Sequence, residues 1–192
     1  MSIATAIGRT AKATAVLGTL LAGAAMLVGA ATMPGHAEEP APAAKLVAAQ
    51  EALDQAWSEA PLGFTVAIFT SGKAGGYGRY TPRENAVFAP GEAINVYAEP
   101  VAYGFAREDD LVAIALAASF ELRTPGGQIL ASGDDFAHLT AKARHPIREF
   151  PATLTYRFDG LSPGDYVLVT KLADDNSDKS GAFSLPFTVK AR

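Results

Sequence analysis

The chain has 192 residues, no cysteine, 16 Lys and Arg against 20 Asp and Glu, and a formal net charge of −4. A mildly acidic chain without a basic cluster lacks the electrostatic footprint of a nucleic-acid binder. The missing cysteines exclude disulfides, thiol nucleophiles and thiolate metal centres, so stability must come from packing.

Residues 1–37 read as a signal peptide. Arg9 and Lys12 precede an unbroken run from Ala13 to His36 with no charged residue, and Gly35-His36-Ala37 offers small residues for cleavage ahead of Glu38-Glu39. The alternative is an uncleaved anchor, because about 20 apolar residues suffice to cross a bilayer. Gly18, Gly23 and Gly29 dilute the run and Met33-Pro34-Gly35 breaks it, which favours cleavage after Ala37 and a periplasmic or secreted product. Losing two basic residues takes the net charge from −4 to −6. Contact with a membrane is expected only through a retained leader.

The Glu-, Pro- and Ala-rich residues 38–44 read as a linker. An amphipathic helix is expected over 45–60, with Leu46, Ala49, Leu53, Ala56 and Trp57 near helical spacing and Pro61 ending it. Its apolar stripe is expected to pack on the domain that follows, with gripping a partner as the alternative, since so short a helix is marginal alone.

From Leu62 the period becomes two. Phe64, Val66 and Ile68 alternate with other residues, as do Ile94, Val96 and Ala98. Val112, Ile114, Leu116, Ala118, Phe120 and Leu122 alternate so regularly that a strand prevails over the helix that their alanine-rich surroundings would favour. Leu154, Tyr156 and Phe158 repeat the pattern; Tyr166 to Leu172 is a more uniform apolar run; Phe183, Leu185, Phe187 and Val189 close the series. Turn signals separate these runs, among them Ser71-Gly72, Gly75-Gly76, Ala89-Pro90-Gly91, Thr124-Pro125-Gly126-Gly127, Ser132-Gly133-Asp134 and Ser162-Pro163-Gly164. Residues 62–192 are therefore expected to form a mainly β domain, an antiparallel sandwich of about seven to eight strands. Pro186 lacks an amide donor, which puts its strand at an edge or a bulge.

Three segments together resemble a known type of domain. Phe88-Ala89-Pro90-Gly91-Glu92-Ala93-Ile94-Asn95-Val96-Tyr97, Gly160-Leu161-Ser162-Pro163-Gly164-Asp165-Tyr166-Val167-Leu168 and Phe183-Ser184-Leu185-Pro186-Phe187-Thr188-Val189 resemble immunoglobulin-like domains of bacterial envelope proteins. The resemblance covers Leu62 to Lys190 and implies an immunoglobulin-like β-sandwich, with the Tyr166 hydroxyl bonding back to the turn before it. Paired cysteines and an internal strand tryptophan are missing, so no antibody-like role is implied, and the fold alone assigns no activity.

Catalytic and metal patterns are sparse. Beyond the leader the only histidines are His138 and His145, in a stretch with Lys142, Arg144 and Arg148, and no Gly-x-Ser-x-Gly elbow or His-Glu-x-x-His accompanies them. Surface or linker histidines are the expected reading. Gly72, Gly75, Gly76 and Gly78 surround Lys73 without the spacing of a phosphate loop. Asp174, Asn176 and Asp178 occupy the first, third and fifth places of a calcium loop, but Lys179 stands where glycine is needed and Leu185 where a bidentate glutamate is needed. A solvated turn is the better reading, and no cofactor is implied.

The remaining signal is aromatic. Tyr77, Tyr80, Tyr97 and Tyr103 cluster in sequence, and Asn95, Tyr97 and Glu99 share the polar side of one strand. Exposed, they would serve as a contact surface for a protein or, alternatively, as a stacking platform for a glycan; the bland reading is that they cover loops and sheet corners. The leading expectation is a non-catalytic exported module that contacts another envelope protein through a sheet face or edge. A glycan-binding module is the alternative, and a hydrolase built from scattered Asp, Glu and Ser is the third reading.

Overall fold

The computed structural model describes residues 43–191; the leader over 1–37 and the linker through 42 lie outside the described residues. Helix α1 (Ala44–Glu59) comes first, followed by β1 (Gly63–Thr70), β2 (Val87–Phe88), β3 (Ile94–Val101), β4 (Ala106–Glu108), β5 (Leu111–Arg123), β6 (Ile129–Ala143), β7 (Ala152–Tyr156), β8 (Gly164–Asp174) and β9 (Ser180–Val189). The described chain is mainly β. A three-stranded sheet runs β1-β3-β7, and a larger sheet runs β2-β9-β8-β5 with β6 on the far side of β5 and β4 extending the β8 side. The larger sheet curls on itself. All pairings are antiparallel except the two-residue match of β2 to β9.

Alternation decides which faces meet. Ile114, Leu116, Ala118 and Leu122 of β5 are buried, as are Leu168 and Leu172 of β8 and Phe187 and Val189 of β9, and they join Ile94, Val96, Ala98, Leu154 and Tyr156 from the smaller sheet in one core. Removing these side chains from water is the main driving force, at about 25 cal/mol per Å² of apolar surface. One polar pair crosses the core: the Tyr156 and Thr170 hydroxyls lie 2.8 Å apart, joining β7 to β8.

Local chemistry fixes the turns. At Ala89-Pro90-Gly91-Glu92 the Glu92 amide donates to the Ala89 carbonyl at 3.0 Å and Gly91 has φ 72°, so Pro90 presets the first corner and glycine supplies the second. The Glu92 carboxylate accepts the Ala89 amide at 2.8 Å and pairs with Arg83 at 2.8 Å. Burial alone would raise the pKa of Glu92, but that amide and the Arg83 guanidinium outweigh it and hold the carboxyl below its ordinary value. Before β8, the Tyr166 hydroxyl donates to the Ser162 carbonyl at 2.7 Å, tying the strand to its own turn as the sequence implied. Pro186 sits on β9 opposite Val167, and the amides of the same parity, Thr188 and Lys190, point away from β8 to the carbonyls of Ala86 and Phe88. Its missing donor therefore costs the sheet no hydrogen bond.

Two expectations are corrected. Ser132-Gly133-Asp134 is not a turn but part of β6, where residues 134–136 bulge opposite Ser119. The bulge lets Phe136 reach Phe120 and Tyr156, each 5.2 Å away between ring centres, and so close the gap beside β7. Gly133 is required there because the Phe120 ring occupies the space of a side chain. Second, the stripe of α1 packs on the domain only at its end, through half-buried Trp57, while Leu46, Ala49, Leu53 and Ala56 stay exposed. No residue of α1 is buried, and Leu46 and Leu53 are 54% and 48% exposed.

Candidate functional site

Five of the six residues proposed as a contact surface come together on the outer face of the smaller sheet. β3 presents Asn95, Tyr97 and Glu99 there, and the loop between β1 and β2 folds over them, bringing Tyr77 and Tyr80. The loop is fastened by the Gly78 amide donating to the Tyr97 hydroxyl at 2.7 Å and by the Tyr80 ring lying 4.1 Å from that of Tyr97. Tyr97 donates in turn to Glu99 at 2.7 Å, Thr65 donates to the same carboxylate at 3.1 Å, and Thr155 donates to Asn95 at 2.9 Å.

This arrangement agrees with the reading in which the tyrosines cover a loop and a sheet corner, and departs from the exposed contact surface. Tyr97 and Glu99 are buried beneath the loop, and Tyr77 and Tyr80 are half-buried. Tyr103 is not exposed on this face but buried against Trp57 with ring centres 5.1 Å apart, and its hydroxyl donates to the Ile147 carbonyl at 2.7 Å. Neither Tyr97 nor Tyr103 offers a ring face for stacking on a sugar, because a loop in one case and a helix end in the other already covers it. Burial, followed by the hydrogen bond to Glu99, pushes Tyr97 up to about 12, and burial raises Tyr77 as well with the Glu99 charge adding to it. Both hydroxyls stay protonated at neutral pH. The Tyr97 hydroxyl acts as a donor that satisfies a buried carboxylate rather than as a base or nucleophile.

The acidic hairpin between β8 and β9 is also structural. Buried Asp174 accepts the Gly104 amide at 2.6 Å and the Asn176 amide at 3.1 Å, and it takes the Ser177 hydroxyl as well. Asn176 turns its amide nitrogen toward the Ala113 carbonyl at 3.2 Å, while Asp178 is exposed and apart from this network. Among the described residues no three His, Asp or Glu side chains gather as a metal cluster. Asp174 and Asn176 thus serve as a latch between the hairpin and the loop before β4, and Asp178 stands outside it.

Beside the latch lies a half-open cleft of about 440 Å³ lined by Trp57, Tyr103, Phe105, Pro146, Arg148 and Lys179 among others. Its charged groups are already engaged within the chain. Lys179 donates to the carbonyls of Ala102 at 2.9 Å and Trp57 at 3.2 Å, so its ammonium caps the C-terminal end of α1. Arg148 pairs with Asp54 and lies over the Trp57 ring at 5.5 Å, and the Trp57 indole donates to the Tyr103 carbonyl at 2.7 Å. The cleft is the seam where α1 attaches.

What the sequence reading missed is β6. Among the described residues β6 pairs only with β5, leaving the other edge of a 15-residue strand without a partner. Ile129 and Leu130 are 52% and 44% exposed beside it, and Phe136 sits at its bulge. His138 is on this strand, 3.4 Å from Asp135 with both side chains exposed, so it belongs to no assembled Ser-His-acid arrangement. The signal was present in Ala137, Leu139, Ala141 and Ala143 alternating with His138, Thr140 and Lys142, but alanine made the apolar half faint. No family model matches the chain, and no curated protein is significantly similar to it.

Proposed function

We propose that the chain is an exported, non-catalytic module of the cell envelope, built as an immunoglobulin-like sandwich, that binds a protein partner along the free edge of β6. The observation that carries the reading is that edge itself: a long row of unsatisfied amides and carbonyls is a template for pairing with another strand. The Tyr166 corner and the Pro90-Gly91 turn support the immunoglobulin-like assignment, and the order of basic, apolar and small residues in 1–37 supports export. The non-catalytic part is supported by hydroxyls and carboxylates whose hydrogen bonds hold the fold together.

A photo-crosslinking side chain at exposed Thr140, introduced in the producing cell, tests the edge. The expected result is a covalent adduct to a protein through Thr140, with none from the same group placed at Lys171 on the outer face of the sheet. Equal labelling from both positions, or none from Thr140, would sink the reading. The N-terminal residue of the purified protein tests export: Glu38 is expected, and Met1 would overturn cleavage.

A further inference from the structure

We infer that the partner of β6 is a second copy of this chain, joined antiparallel, β6 to β6, across a two-fold axis near Leu139. The inference rests on the edge reading proposed above. Residues 137–143 pair one for one with 112–118, so this half of β6 is free of the bulge and regular enough to accept another strand. Its half-buried side is Ala137, Leu139, Ala141 and Ala143, and its exposed side is His138, Thr140 and Lys142. With the axis at Leu139, each Leu139 meets its own copy, Ala137 meets Ala141, and His138 meets Thr140. The apolar layer then continues across the junction without burying a charge.

Charge selects the partner and the direction. Asp134 and Asp135 stand at the start of this segment and Lys142 and Arg144 at its end, so the edge is acidic at one end and basic at the other. Antiparallel pairing of two copies sets the acidic end of each beside the basic end of the other; parallel pairing would set like on like. Among the described residues Asp135 already faces His138 and Lys142 already pairs with Glu108, whereas Asp134 and Arg144 have no ion-pair partner within the chain. An axis at Leu139 sets the bulged end of one β6, which carries Asp134, beside the end of the other just past Ala143, which carries Arg144, and the two-fold makes this juxtaposition twice. The larger sheet then runs through both copies.

Sedimentation equilibrium of the protein, purified as it accumulates from its full-length coding sequence, tests this. The expected mass is that of two chains, with association weakening as salt is added. Asp134→Arg or Arg144→Asp alone is expected to weaken association about tenfold, since each removes two symmetry-related pairs and sets like charges together. The double variant Asp134→Arg/Arg144→Asp is expected to restore it. Unchanged thermal unfolding of the exposed-site variants at a concentration where all are monomeric shows that folding is intact. A dimer indifferent to both reversals overturns the inference. So does a monomer at every concentration whose Thr140 still crosslinks to a different protein, an outcome that leaves the edge reading standing. A monomer with no Thr140 adduct removes both.

Discussion

Tyr156 and Thr170 show how much one polar pair can matter inside an apolar core. Their hydroxyls satisfy each other between the two sheets, and both residues are buried away from water that could substitute. Thr170→Val leaves the tyrosine hydroxyl without a partner, a loss on the order of 1–3 kcal/mol. Tyr156→Phe leaves the threonine in the same state, while the double variant Tyr156→Phe/Thr170→Val leaves nothing unpaired. Urea denaturation of the two single variants and the double is expected to give a double-variant loss smaller than the sum of the singles. Additive losses would mean that the hydroxyls act independently. The same logic separates Asp174 from a metal ligand: Asp174→Ala strips acceptors from the Gly104 amide and the Ser177 hydroxyl, and a destabilisation of about 2 kcal/mol is expected. Calcium is expected to leave the melting temperature of the unaltered protein where it is.

Helix α1 is held at one end. Trp57, the single tryptophan of the chain, makes the aromatic and indole contacts, with Asp54 reaching Arg148 and Lys179 capping the last carbonyls. A 16-residue helix with no buried residue has little else to keep it in water. Trp57→Ala is therefore expected to reduce the helical far-UV signal while the cooperative unfolding of the sheets persists, and Lys179→Met to weaken the same attachment by about 1 kcal/mol. Trp57 fluorescence reports the docked state directly: a red shift in the Lys179→Met variant checks the second expectation, and an unchanged spectrum would show that the ammonium is dispensable. Strand β6 makes the complementary case. It is held by hydrogen bonds to β5 on both sides of its bulge, yet its inward side between the bulge and Ala143 is alanine and a single leucine, so its position owes more to its neighbour than to its own hydrophobicity.

Three tyrosines in separate parts of the molecule couple its stability to alkaline pH. Burial, with Glu99 adding to it at Tyr97, raises Tyr97 and Tyr156 from the ordinary 10.0 to about 12, and burial raises Tyr103 too. A raised folded-state pKa means that the native chain keeps protons that the unfolded chain releases. The contribution of Tyr97 and Tyr156 is full below pH 10, declines as pH rises through the interval, and is lost above about 12, with Tyr103 acting in the same direction. The denaturation midpoint is expected to fall steeply between those limits; Tyr156→Phe removes one of the three and is expected to flatten the fall. A midpoint independent of pH there would show that the tyrosines ionise without unfolding the chain. With no cysteine, a reducing agent is expected to change nothing.

Much of the strand content was legible in the residues because alternation is a local property. Six apolar positions at period two marked β5, Pro90-Gly91 marked a turn whose second corner needs positive φ, and Tyr166 four residues after Ser162 marked the corner hydrogen bond. The mainly β character and one helix near Trp57 follow from such short-range patterns. Parity put Asn95, Tyr97 and Glu99 on one face correctly, yet it could not show that residues 71–85 fold back over them, since covering is a contact between distant segments. The same limit applies to Leu46 and Leu53, whose spacing marks a stripe without saying what lies opposite it. By itself the sequence determined most of the local elements and turns, β6 and its bulge excepted, and the absence of disulfides, all of which depend on neighbours along the chain. Only the tertiary structure decided which tyrosines are buried, that Asp174 latches a hairpin, and that β6 ends its sheet with a free edge, because each depends on which segments meet in space.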